Sequence, residues 1–186
     1  CAWDVSTPSF PSVVPVQTPT ATSGALSFDG ASTYVRLPPV TEDLAKGFTL
    51  EAWVYFESVG SWSRILDIGQ GMRLNNVFLA RYAATNQVAM RIYYDGANYT
   101  EFVTTTSVLA LNTWIHIAAT LDSAGNVCIY KNGVSVALNQ SKLLKFPSPV
   151  VRDRVFLGKS NWYWDAMFKG RMAEVRLWNR ARPVDQ

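Results

Sequence analysis

The sequence predicts an all-β fold, with two antiparallel sheets packed face to face as a jelly-roll sandwich. Apolar residues alternate with period two from Ala25 onward, and turn-forming residues interrupt the runs at short intervals. No stretch sustains the i, i+3, i+4, i+7 apolar stripe over the ~10–12 residues a helix needs. Without helices to cover a parallel sheet, each sheet must bury its apolar face against the other. No internal repeat of fixed period is visible, which excludes a propeller or a solenoid.

Taken in order, residues 1–24 read as a Pro/Ser/Thr-rich N-terminal arm and residues 25–186 as one domain. Pro8, Pro11, Pro15 and Pro19 favour extended backbone, either as a linker or as an edge segment lying along the sheet. In Phe48–Phe56 the even positions are all apolar and turn inward, while Glu51, Trp53 and Tyr55 turn out. Gln87–Tyr94 sets Val88, Met90 and Ile92 against Ala89, Arg91 and Tyr93 in the same way. Thr113–Leu121 places Ile115, Ile117, Ala119 and Leu121 inward, and Trp114, His116, Ala118 and Thr120 outward. Asn132-Gly133 tolerates positive φ at both residues, so Val127–Lys131 and Val134–Leu138 are predicted to pair through a type I′ turn. Asp29-Gly30, Asp95-Gly96 and Asp122–Asn126 supply further turns.

Composition narrows the function classes. With 186 residues, 48% hydrophobic and only 17% charged, the chain can bury a core and is not disordered over most of its length. A net charge of +3 is too weak a signal for nucleic acid. There is no apolar run long enough to span a membrane, and the start does not read as a signal peptide. Because the chain opens on Cys1 rather than Met, it reads as a processed product or a domain of a larger multidomain chain. Cys1, Cys128 and the single His116 are too few for a structural zinc. The two cysteines either form one disulfide, as an oxidising compartment would permit, or stay as thiols. Asn98-Tyr99-Thr100 and Asn139-Gln140-Ser141 are glycosylation sequons, which fit a secreted or cell-surface protein.

Four segments together resemble the laminin-G-like branch of the concanavalin A-like lectin/glucanase superfamily. They are Leu26-Ser27-Phe28-Asp29-Gly30 with Tyr34-Val35, then Phe48–Val54, then Trp114–Asp122 with Tyr130-Lys131-Asn132-Gly133, and finally Leu157–Trp162 through Gly170 to Glu174–Arg180. The resemblance implies a curved sandwich whose members mostly bind carbohydrates or protein partners outside the cell, with some glycoside hydrolases among them. Several branches carry calcium. In the glucanase-like branch a structural ion takes a carboxylate from the closing strand, where this chain has Ala173. Asp67, Asn75 and Asn76 form a second candidate for calcium, as oxygen ligands of the type that ion prefers, or else they cap turns.

Catalysis is disfavoured. Glycoside hydrolysis needs two carboxyl groups flanking the bond, and no strand carries such a pair; Glu42-Asp43 is adjacent and falls in a turn. A serine triad would have to run through His116, no Gly-x-Ser-x-Gly elbow is present, and His116 reads as structural. Sugar binding needs an aromatic platform beside fixed hydrogen-bonding groups. Trp162, Tyr163 and Trp164, flanked by Asn161 and Asp165, form such a mixture, with Trp62 and Arg64 as neighbours in a site on the concave sheet. At least one of three consecutive aromatics is expected to be exposed, because an alternating strand cannot bury all of them. Arg91 and Tyr93, on the Gln87–Tyr94 strand, offer a second location. Arg73, Arg81, Arg152, Arg154 and Arg171 are further outward candidates that suit a carboxylate or sulfate. The expectation is a non-catalytic, extracellular, lectin-like module that binds a glycan or glycoprotein, needs no cofactor and does not insert into membranes. The alternative is a protein-binding adhesion or scaffolding domain.

Overall fold

The computed structural model describes residues 21–22, 24–95, 98–139 and 145–182. Thirteen strands run through them: β1 (Ala21–Thr22), β2 (Ala25–Asp29), β3 (Val35–Leu37), β4 (Phe48–Phe56), β5 (Arg64–Gly69), β6 (Val77–Arg81), β7 (Val88–Asp95), β8 (Asn98–Val103), β9 (Trp114–Leu121), β10 (Val127–Lys131), β11 (Val134–Asn139), β12 (Arg154–Leu157) and β13 (Lys169–Trp178). The described helical structure is one 3-10 turn, Leu44–Lys46, capped by the Asp43 carboxylate, which accepts from the Ala45 N–H at 3.0 Å. No described helix is long and apolar enough to cross a membrane.

A seven-stranded sheet has the order β1-β2-β13-β4-β9-β10-β11, and a six-stranded sheet the order β3-β12-β5-β6-β7-β8. Neighbouring strands are antiparallel throughout. The alternation in the sequence decides which face each strand buries. Phe48, Leu50, Ala52, Val54 and Phe56 of β4 are at most 1% exposed, and Ile115, Ile117, Ala119 and Leu121 of β9 join them. Ile68, Val77, Leu79, Val88, Met90 and Ile92 face them from the six-stranded sheet. Burying each such side chain contributes roughly 1.5–3 kcal/mol, and that supplies the drive for closing the two sheets on each other. The β10–β11 hairpin forms as predicted: Lys131 pairs with Val134, and Asn132 and Gly133 take φ 50° and 78°, the left-handed pair of a type I′ turn.

Ala21–Thr22 pairs with β2 at the edge of the larger sheet. Residues 1–20 and Ser23 of the expected linker, with Cys1 among them, lie outside the described residues, as does the Gln140-Ser141 part of the second sequon. Cys128 is buried in β10 with its Sγ 3.1 Å from Ser135 Oγ.

Candidate functional site

The outer face of the six-stranded sheet is organised by one carboxylate. Asp67, on β5, is fully buried, and its two oxygens accept four hydrogen bonds. Oδ2 takes Arg64 Nε at 3.2 Å and the Asn161 backbone N–H at 3.0 Å; Oδ1 takes Asn76 Nδ2 at 3.0 Å and Asn161 Nδ2 at 2.9 Å. A buried charge needs this degree of satisfaction to remain in a folded chain. The result is a knot that ties the 158–168 loop, between β12 and β13, onto β5 and β6.

Arg64, 2% exposed, reaches past that knot. Its Nη1 donates to the Trp62 carbonyl at 2.6 Å and its Nη2 to Asp165 Oδ2 at 2.8 Å, while the guanidinium carbon sits 3.9 Å above the Phe78 ring and 5.2 Å from Trp162. Ser160 Oγ donates to the same Asp165 oxygen at 2.8 Å, so Oδ1 of Asp165 takes no part in these bonds. Burial pushes the Asp165 carboxyl above the usual carboxylate range, against the pull of Arg64 and Ser160.

A second charged group stands beside the first. Arg91 on β7 donates through Nε to Glu101 Oε2 at 2.8 Å, and through Nη2 to the same oxygen. Its guanidinium lies between two rings, 4.5 Å from Trp62 and 4.2 Å from Tyr99, and Nη1 donates to the Tyr93 hydroxyl at 3.3 Å. Register explains the grouping: across the β7–β8 pair Arg91 is opposite Glu101 and Tyr93 opposite Tyr99. Trp62 is held at φ 56°, its N–H donating to the Ala83 carbonyl at 3.1 Å, which turns its ring over Tyr82 and toward Phe78.

Together these groups enclose a cavity of about 350 Å³ lined by Trp62, Arg64, Arg73, Arg91, Tyr93, Tyr99, Trp162, Trp164 and Asp165. That size lies within the ordinary range of small-ligand pockets. The aromatic-loop location and the Arg91 strand location, separate in the sequence, are one place in the fold.

The consecutive aromatics divide by position. Tyr163 is 90% and Trp164 55% exposed, their rings crossing edge to face at 4.5 Å. Trp162 is 7% exposed and packs on Phe78 and Tyr93, so it is floor rather than exposed rim. Asn161 does not line the cavity: its amide donates to Asp67 and, at 3.1 Å, to the Arg154 carbonyl, and it positions the loop from below. The three calcium candidates do not fit a cation as placed. Asp67 and Asn76 are hydrogen-bonded to each other, the Asp67 carboxylate is filled by donors that include a guanidinium, and Asn75 turns away to donate to Gln70 Oε1 at 2.7 Å. A cage of 6–8 oxygens is the reverse of that arrangement.

Two arginines expected to face outward are buried instead. Arg81 donates to the Gly60 and Ala83 carbonyls, and Arg152 to the carbonyls of Asn75, Val150 and Ser148, where burial pushes its guanidinium down to about 10. Arg171 is on the other sheet, 4.0 Å over the Tyr55 ring. Tyr99 completes the cavity and is missed by reading the sequence alone, although antiparallel pairing of β7 with β8 puts it opposite Tyr93. Arg73, legible in the sequence only as an outward cation, reaches the cavity from an irregular loop that gives no periodic signal for its place.

His116 lies on the opposite sheet, packed 5.4 Å from the Trp53 ring with Nε2 3.7 Å from Glu51 Oε2. Burial holds its pKa below the ordinary 6.5, outweighing the attraction of Glu51. Since the folded value is depressed, the unfolded chain takes up its proton first as pH falls. The stability tied to neutral His116 is therefore complete above about pH 6.5 and declines as pH drops below it. Melting temperatures measured from about pH 8 to pH 5 should fall more steeply for the wild type than for His116→Gln. Parallel curves would refute this.

Residues 29–186 match a laminin G family described as the concanavalin A-like lectin/glucanases superfamily. The chain belongs to that superfamily. Among solved structures, this superfamily member is similar to domain 4 of the extracellular GH43 arabinanase AbnA from Geobacillus stearothermophilus, solved with arabinotriose, at 19% identity over 95% of this chain and 80% of that one, TM-score 0.67. The Ruminococcus gnavus IT-sialidase CBM40 bound to α2,3-sialyllactose matches at 17% identity over 86% and 94% of the two chains, TM-score 0.64. A heptameric SAP-like pentraxin from Limulus polyphemus matches at 14% over 86% and 77%, TM-score 0.61. No curated protein sequence matches. At these identities the likeness of lectin-superfamily structures establishes the sandwich, and any function must be argued from the chemistry of the cavity.

Proposed function

We propose that this chain is a non-catalytic carbohydrate-binding module that works outside the cell, within a larger secreted or surface protein, and holds a sugar in the cavity on the six-stranded sheet. One observation carries the reading: exposed Trp164 and half-buried Trp62 offer ring faces beside the planar, hydrogen-bond-fixed groups of Arg64, Arg91 and Asp165 around about 350 Å³. Rings take the C–H face of a pyranose, and the fixed donors and the Asp165 carboxylate orient its hydroxyls. Two of the similar structures are complexes with oligosaccharides, which supports the reading. The cavity presents one carboxylate, Asp165, whereas glycoside hydrolysis takes two.

Trp164→Ala should weaken binding about tenfold or more, ~1.4 kcal/mol, in titration calorimetry against whatever sugar a glycan array returns. Its melting temperature should stay near wild type, because the ring is more than half exposed. Normal binding by this variant would move the site elsewhere. A second reading, a docking face for a protein partner, is favoured by one feature of the seven-stranded sheet: its outer surface carries exposed Trp53 beside His116, and Tyr55 beside Trp114. An array with no bound glycan, together with a partner whose affinity falls in Trp53→Ala, would favour it over the first.

A further inference from the structure

The charges around the cavity are not equivalent. Arg64 spends its guanidinium on Asp67, Asp165 and the Trp62 carbonyl, and Arg91 spends its own on Glu101 and the Tyr93 hydroxyl. Arg73, the third guanidinium lining the cavity, is exposed and has no ion pair, hydrogen bond or ring contact among the described residues. Two of the counter-charges, Asp67 and Glu101, are not among the lining residues, so a ligand meets three guanidinium groups and one carboxylate. Arg64 and Arg91 are each held against carboxylates, so among the described lining residues the cation free to form new bonds is Arg73.

The backbone at Arg73 adds an independent observation. Arg73 sits at φ 62°, in the left-handed region, within a loop closed by the Gln70 N–H donating to the Leu74 carbonyl at 3.0 Å. Most residues with a Cβ are disfavoured there, by about 1–2 kcal/mol, whereas Gly has no Cβ to clash and Asn offsets the cost through local hydrogen bonds of its side chain. Trp62, on the cavity wall, is held the same way at φ 56°. Two bulky lining side chains thus occupy positions that local backbone energetics assign to small residues, and each is directed by that backbone toward the same space.

We propose that the saccharide recognised here is acidic, bearing a carboxylate or sulfate that docks on Arg73 while its ring lies against Trp164 and Trp62. A guanidinium fork matches the two oxygens of either group in a pair of charge-assisted hydrogen bonds, and an exposed, unpaired arginine gives up no existing partner to make them. Neutral sugars gain only the aromatic and hydroxyl contacts. The proposal rests on the carbohydrate-binding reading and adds the class of ligand to it.

The test titrates the full chain with uronic, sialic and sulfated oligosaccharides, each beside its neutral parent. At least one acidic sugar should bind about tenfold or more tightly than its parent, with the difference shrinking as salt rises. Arg73→Gln and Arg73→Asn should bring the two members of each such pair to within about twofold of each other. Arg73→Asn, which tolerates the left-handed backbone, should melt no lower than wild type, so that loss of preference cannot be ascribed to unfolding. Equal affinity within every pair, or a preference that survives in both variants, overturns the proposal and leaves carbohydrate binding standing. Binding of no sugar, acidic or neutral, overturns both.

Discussion

Asp67→Ala is expected to cost about 3 kcal/mol of stability and, with it, most of the cavity. Its carboxylate is wholly buried and accepts from Arg64, Asn76 and the backbone and side chain of Asn161. Removing it leaves a 2%-exposed guanidinium with only Asp165 as a charged partner and takes the acceptor from the Asn76 amide and the Asn161 backbone N–H. It also frees the loop that carries Trp162, Trp164 and Asp165. For a chain of this length ~3 kcal/mol lowers the melting temperature by roughly 6–12 °C. Sugar affinity should drop further than in Trp164→Ala, since several lining residues lose their positions together. Asp67→Asn restores some acceptor capacity but turns an amide donor toward donors already present, and should recover only part of the loss. A melting temperature within about 3 °C of wild type for Asp67→Ala would show that the knot is not what holds the loop.

The second large effect is expected at Arg152, whose fully buried guanidinium feels the Asp43 charge but is hydrogen-bonded to no carboxylate among the described residues. It donates at 2.8, 3.1 and 2.9 Å to the carbonyls of Asn75, Val150 and Ser148, and its backbone exchanges both hydrogen bonds with Val40. One side chain thereby closes the 148–152 segment onto the base of the loop that bears Arg73. Arg152→Met keeps much of the apolar volume but leaves three carbonyls without their donor, at roughly 1 kcal/mol or more each. The expected loss is about 3 kcal/mol in denaturant unfolding, with amide exchange accelerated in residues 70–76 and 148–152 ahead of the rest. Unchanged exchange in those two segments would refute the coupling.

How far the sequence reveals this molecule differs between its two sheets. β4 and β9 lie in the middle of the seven-stranded sheet, and the residue types of Phe48–Phe56 and Trp114–Leu121 alternate. Their core-facing sides can therefore be read from the sequence, even though Thr49, Glu51, Ala118 and Thr120 on the other side are buried as well. β5 and β6 are buried at every position, because a loop from far along the chain covers their outer side. That erases the period-two contrast, and it is why Asp67 reads as a turn cap or cation ligand in the sequence rather than the centre of a buried hydrogen-bond cluster. The aromatic triplet is legible as a place where not every ring can be buried. Which ring turns inward depends on Phe78 and Tyr93, more than 60 residues away in sequence. Tyr99 follows from register once β7 is paired with β8, whereas Arg73 depends on the conformation of an irregular loop.

The described chain enters the sandwich at Ala21, on an edge of the seven-stranded sheet, and leaves near Arg182, whose N–H donates to Thr49 Oγ1 on that same sheet. The cavity opens from the other sheet. Ala21 and Arg182, the first and last described residues, therefore lie with the sheet that does not line the cavity. The topology thus separates two jobs by layer: one sheet carries the cavity, and the other carries both described ends of the chain.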